Sequence, residues 1–244
     1  MIALNRIFLA VSCMTLFSCS KSESGYKLSG TFINTSYLEQ SKTKLLQNIP
    51  FYGTEITFEK DSILFSNGFE TGKLAYMQKG NQYVLKEAYQ NNGVLKDMIL
   101  EATSDSTFTL NDTEYTTASM PSVFTKSKTT FESALAKKLI DGTYEILYPE
   151  PLKNTRVTFS GFTITGLPDY NRYNLCYSGD CMQMITDTIN SIYLSHPDGN
   201  AAIFGWQNGP QQTLELYRVS DPIPDIKGGQ SITQKAFILK KAGK

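Results

Sequence analysis

Few residues of this chain are equipped for covalent or metal chemistry: four cysteines, at positions 13, 19, 176 and 181, and one histidine, His196. Cys176 and Cys181 flank Tyr177-Ser178-Gly179-Asp180, so 175–182 reads as two strands joined by a Ser-Gly-Asp turn. A disulfide across such a hairpin closes a short loop and adds modest stability. The competing chemistry is a metal site, which needs further ligands at suitable spacing. His196 has no second histidine, so a multi-histidine site is excluded and no metal ligand is assigned. His196-Pro197-Asp198-Gly199 reads as a turn between strands. The chain carries no Gly-x-Ser-x-Gly, no Walker loop and no His-Glu-x-x-His, so no catalytic residue and no cofactor is expected. A pair of working carboxylates leaves no local motif, and 23 acidic residues give no basis for choosing two. The better candidate surface is aromatic. Tyr170, Tyr173 and Tyr177 surround the cysteine hairpin with Arg172 among them, and Trp206 begins Gly205-Trp206-Gln207-Asn208-Gly209. Tyrosine and tryptophan combine a flat apolar face with a polar tip, which suits binding and the stacking of sugar rings. The plainer alternative is that these rings cover one end of the fold.

The N-terminus carries the most specific signal. Arg6 provides a short positive region, and an apolar run from Ile7 to Phe17 is too short to span a bilayer. It ends in Leu16-Phe17-Ser18-Cys19, which resembles a bacterial lipobox, with Leu at −3, a small residue at −1 and then the lipidated cysteine. The alternative is a plain secretory signal with an incidental cysteine. Ser20-Lys21-Ser22-Glu23-Ser24 resembles the export signal that follows this cysteine in surface lipoproteins of Bacteroidota. The resemblance implies a leader over 1–18, acyl chains on Cys19 and attachment to the outer membrane, facing the cell surface. Several acyl chains make a stable anchor, at about 0.8 kcal/mol per buried methylene. With Cys13 in the leader and Cys19 acylated, Cys176 and Cys181 are left as an even pair in an oxidising compartment.

Composition then bounds the elements that position these residues. Apolar residues are 41% and net charge is zero, which excludes a disordered chain. Cations and anions balance at 23 each, which argues against nucleic acid as a partner. There are 25 Thr, 22 Ser, 14 Tyr and 14 Phe, a composition suited to pleated, half-buried strands. About eight short alternating runs fall in each half, near 28–33, 54–58, 62–66, 72–78, 81–86, 94–102, 106–110 and 121–126. In the second half they fall near 142–147, 155–160, 162–166, 172–177, 181–186, 189–195, 201–206 and 212–218, with 232–240 closing. Turn signals such as Asn67-Gly68 and Asn92-Gly93 join many of them, and type I′ turns of that kind need positive φ. Thr129-x-x-Glu132 forms a capping box ahead of Phe131, Leu135 and Leu139, which predicts a linking helix ended by Gly142. A weaker helix is expected over 35–47.

The halves repeat each other. Leu28-Ser29-Gly30-Thr31-Phe32 matches Ile140-Asp141-Gly142-Thr143-Tyr144, and Ile56-Thr57-Phe58 matches Val157-Thr158-Phe159. Gly-x-aromatic opening an eight-strand meander resembles the lipocalin-like modules of Bacteroidota lipoproteins. The resemblance implies that Lys126 and Lys240, on the last strands, stack on Phe32 and Tyr144. The expected architecture is all-β, with two tandem antiparallel meander barrels: a lipidated linker at 19–26, a first barrel at 27–126, a linker helix at 127–141 and a second barrel at 142–244. The alternative is one open half-barrel. The expected role is a non-enzymatic binding or accessory module on the outer membrane, with a membrane protein or a glycan as partner. Two alternatives stand beside it: a glycan-binding component of a nutrient-uptake system, and a carrier of lipid or acyl chains.

Overall fold

The structure, a computed structural model, describes residues 25–91, 93–111, 116–117, 119–222 and 229–243. The leader and Cys19 lie outside the described residues. The chain forms two closed eight-stranded antiparallel barrels, each a simple meander. The first comprises β1 (Gly30–Asn34), β2 (Glu55–Phe58), β3 (Ser62–Ser66), β4 (Thr71–Lys79), β5 (Gln82–Asn91), β6 (Val94–Ser104), β7 (Thr107–Leu110) and β8 (Ser122–Lys126). The second comprises β9 (Gly142–Tyr148), β10 (Arg156–Ser160), β11 (Thr163–Thr165), β12 (Arg172–Cys176), β13 (Asn190–Ser195), β14 (Ala201–Gly209), β15 (Thr213–Val219) and β16 (Ile232–Lys241). β1 pairs with β8 and β9 with β16, so neither sheet keeps a free edge. The half-barrel alternative is thereby excluded.

Strand alternation explains the closure. In β2, Ile56 and Phe58 are buried while Glu55 and Thr57 face outward; in β7, Phe108 and Leu110 point in. The β4–β5 and β5–β6 turns place Gly80 and Gly93 at φ 60° and 79°, where a Cβ would be strained. The repeat is visible in contacts. Thr31 and Thr57 pair through their hydroxyls at 2.9 Å, and Thr143 and Thr158 do so at 3.3 Å. Phe32 meets Phe58 edge to face at 5.6 Å, and Tyr144 meets Phe159 the same way at 5.8 Å. The closing lysines differ from expectation. Phe32 is opposite Lys126, but Tyr144 is opposite Lys241, because β16 shifts register between Ile238 and Leu239. Phe32 is fully buried and Lys126 Nζ donates to Ser29 Oγ at 3.2 Å, so the stacked cation is replaced by a lysine stem crossing Gly30.

Two helices differ in detail from the sequence reading. α1 (Thr35–Gln40) is short, capped by Asn34 Oδ1 accepting from Tyr37 N at 2.9 Å, and a separate 3-10 turn follows at Leu46–Asn48. α2 (Phe131–Leu139) is capped by Thr130, whose hydroxyl accepts from Ser133 N at 3.2 Å; Thr129 lies one residue outside. Ile140 ends α2, and Gly142 already belongs to β9. The run 181–186 is not a strand. A 3-10 turn occupies Gly179–Gln183, and Ile185 forms an isolated bridge to Gln230.

Buried side chains line the interior of both barrels. Phe32, Phe58, Tyr83, Phe108 and Phe124 occupy the first, with Phe108 and Phe124 stacked at 4.9 Å. Phe159, Tyr173, Ile192, Leu194 and Leu216 occupy the second. Eight-stranded barrels leave an interior just wide enough for such side chains. The first barrel has its own core. The second shares its core with Tyr37, Leu38, Leu46 and Ile49, which come from the 35–53 segment of the first unit, and with the apolar face of α2. Tyr37 packs edge to face on Phe131 at 5.3 Å and its hydroxyl donates to Tyr177 O at 3.3 Å. Leu46 N donates to Asn190 Oδ1 at 2.9 Å. The 35–53 segment is thus a wedge that joins the two barrels.

Candidate functional site

The aromatic residues singled out in the sequence do not form one exposed surface. Tyr170, Tyr173, Tyr177 and Trp206 are exposed by only 7%, 0%, 9% and 1%. Each is spent on packing. Tyr170 lies against His196 at 4.6 Å and Phe204 at 5.5 Å. Tyr173 packs on Phe159 and Phe162 and donates to the Asp141 carboxylate. Trp206 Nε1 donates to Ser191 O at 3.2 Å. Trp206 lies inside β14 and does not open a hairpin. Arg172 is exposed at the start of β12. Tyr170 stands two residues before that strand and Tyr177 one residue after it, so the two flank its opposite ends. For Tyr173 and Trp206 the reason is periodicity: strand positions that face the barrel axis are core, whatever their chemistry.

Cys176 and Cys181 are joined by a disulfide, with their Cα atoms 5.7 Å apart. It ties the end of β12 to the following 3-10 turn. It therefore holds the strand-to-turn corner on which Tyr177 sits, where a hairpin was expected. Phe69, from the β3–β4 turn of the first barrel, reaches Gly179 on this corner, and Gly68 reaches Tyr177 and Ser178. Among the described residues no group of three or more His, Cys, Asp or Glu could hold a metal ion.

What the fold does bring together lies where the barrels meet. A cleft of about 180 Å³ is bounded by the outer face of β2 and β3, the first turn of α2 and Tyr177. Two carboxylates line it. Glu55 projects outward from β2, and its Oε2 accepts from the Phe131 amide at 2.8 Å, so a strand of the first barrel caps the linking helix. Glu132 follows one residue later. Because Thr130 is the cap, Glu132 stands at the second helical position and not the third, and its carboxylate does not turn back to the cap. Burial raises its carboxyl above the ordinary range. Among the described residues no lysine, arginine or histidine lines the cleft. Tyr177 forms the inner wall, its ring 5.4 Å from that of Phe131. Burial first, then the charges of Glu132 and Glu55, push its phenol well above the usual tyrosine range, so it is a neutral hydroxyl at any working pH. Leu64, Thr57 and Thr71 complete the rim.

Of the residues chosen from sequence, only Tyr177 reaches this cleft; Glu132 was read as a helix cap, and Glu55 carried no signal. An outward carboxylate on a strand looks solvated until another domain is placed over it. Comparison with protein-family models, with curated proteins and with solved structures returns no match to this chain.

Proposed function

We propose that this chain is a non-enzymatic binding or accessory module held at the outer membrane by a lipid on Cys19, and that it meets its ligand at the junction of its two barrels. The observation that carries the reading is the cluster of buried rings and aliphatic side chains inside each barrel. A carrier of lipid or acyl chains needs an internal cavity, and the glycan reading needs exposed rings; the residues proposed for stacking are buried. Recognition is then left to the outside, and the junction is where carboxylates, a phenol and an apolar edge converge.

The anchor rests on Leu16-Phe17-Ser18-Cys19. The course of the following chain supports its geometry. Tyr26 N donates to Asn81 Oδ1 at 3.1 Å and Lys27 N to Asp105 Oδ1 at 2.7 Å, which fastens this segment to the end of the first barrel made by the β4–β5 and β6–β7 turns. The junction lies at the other end of those strands. An anchor at Cys19 would hold it on the side of the first barrel away from the membrane. Native mass spectrometry of the chain extracted from membranes tests the reading. The expected species begins at an acylated Cys19 and carries no second lipid, and Cys19→Ala moves the chain to the soluble envelope fraction. A lipid retained inside a barrel, or a Cys19→Ala chain still bound to membranes, would overturn it.

A further inference from the structure

We infer that an apolar row on the outer wall of the first barrel, Met77, Val84 and Ile99, rests in the interfacial layer of the membrane that holds the Cys19 anchor. The inference rests on the anchor reading above and adds to it a second contact with the lipid surface. The row follows from register. Met77 pairs with Val84 and Val84 with Ile99, so the three side chains stand side by side across β4, β5 and β6. Strands lie about 4.8 Å apart, which makes the row roughly 10 Å long. Their sequence neighbours Tyr83, Leu85, Met98 and Leu100 are buried in the barrel, so alternation turns the row outward. Met77 is 55% exposed and Ile99 46%, with Val84 half-buried between them. A solvated face of an antiparallel sheet ordinarily carries polar residues at such positions.

Three observations choose lipid as the occupant. The first is the tether. Five residues separate Cys19 from Gly25, and Gly25 lies against Gly80 in the β4–β5 turn. Extended chain of that length reaches at most about 21 Å, so the turn stands no further than that from the acylated cysteine. Met77 is three residues from Gly80, roughly 10 Å along the strand. Tyr26, 43% exposed, lies in the same stretch, held by Gln78 Nε2 donating to its carbonyl at 3.0 Å. A phenol at the entry of the chain suits the boundary between acyl chains and water. The second observation is charge. Lys86 pairs with Asp97 at 2.6 Å on one side of the row, and Lys79 and Glu101 flank Gln82 on the other. Both flanks are neutral, which fits apolar insertion among lipid headgroups and not electrostatic recruitment. The third is area. A stable protein interface buries about 800 Å² on each partner, and three partly exposed side chains supply less. A chain already held by acyl groups needs no such area, because the tether makes the second contact intramolecular.

Fluorescence of the acylated full chain in dioleoylphosphatidylcholine vesicles, with and without brominated acyl chains, tests the inference. Ile99→Trp and Met77→Trp each place an indole in the row. Tyr148→Trp places one on the second barrel, at a position 43% exposed. The native Trp206, 1% exposed, gives all three the same background. With native circular dichroism in each, the two row variants are expected to shift their emission to the blue on joining vesicles and to lose it to bromine. Tyr148→Trp is expected to do neither. Emission that responds equally in all three variants, or in none, while the chains float with the vesicles, overturns the inference and leaves the anchor standing. A chain that carries no acyl mass and does not float with vesicles overturns the anchor reading and this inference together. A dimer in sedimentation that Ile99→Asp disperses assigns the row to a second copy of the chain and likewise overturns it.

Discussion

Glu132 sits half-buried at the start of α2 with no cation among the described residues paired to it, and that has a measurable consequence for stability. Its folded carboxyl is raised above the ordinary value of 4.5 by desolvation alone. A raised acid binds its proton more tightly when folded than when unfolded. Stability is therefore fully present below about the ordinary value and declines as pH climbs through the raised one. Glu132→Gln removes that decline. In urea titrations the variant should be more stable than wild type at neutral pH, and the two should converge on acidification below 4.5. A less stable variant at neutral pH would mean that Glu132 already has a stabilising partner. At this scale the sequence was partly legible. The tyrosines and Trp206 were visible as distinctive, but their exposure was not, because burial depends on which face of a strand meets the axis. Tyr177 alone reaches the cleft, since it stands just past the last residue of β12.

The elements follow the sequence most closely where local rules suffice. Alternating runs and glycine turns gave the meander, and the spacing of paired threonines and rings repeats between halves because each unit closes in the same way. The run 181–186 misled because a disulfide, and not a ladder, sets its course. The α2 cap differs by one residue, since Thr129 and Thr130 are both competent; the Thr130 hydroxyl takes the Ser133 amide, while Thr129 N donates to Ser127 Oγ. The disulfide spans five residues of sequence, so it removes little chain entropy. Replacing both cysteines by serine should lower unfolding free energy by at most about 2 kcal/mol, measured by urea titration. A loss well beyond that would show that the corner bearing Tyr177 organises the second barrel.

At the scale of the molecule the two barrels are unequal. The first owns its core, whereas the second completes its core with the 35–53 wedge and α2, and no sequence pattern signalled this dependence. Alternation predicts which residues turn inward within a sheet; it is silent on which loop covers a neighbouring barrel. The shared core also builds the cleft, since the Tyr37, Phe131 and Tyr177 rings pack in series, edge to face and then tilted, from the wedge to its wall. The central claim is that the junction is a fixed, packed structure and not a tether between independent barrels. The single tryptophan, Trp206, reports on the second barrel alone. Tyr37 is a residue of the first unit, 1% exposed. Denaturant unfolding followed by Trp206 fluorescence should therefore respond to Tyr37→Ala, with a loss of about 3 kcal/mol for a large buried ring. An unchanged Trp206 transition in Tyr37→Ala would contradict the shared core, and with it the cleft.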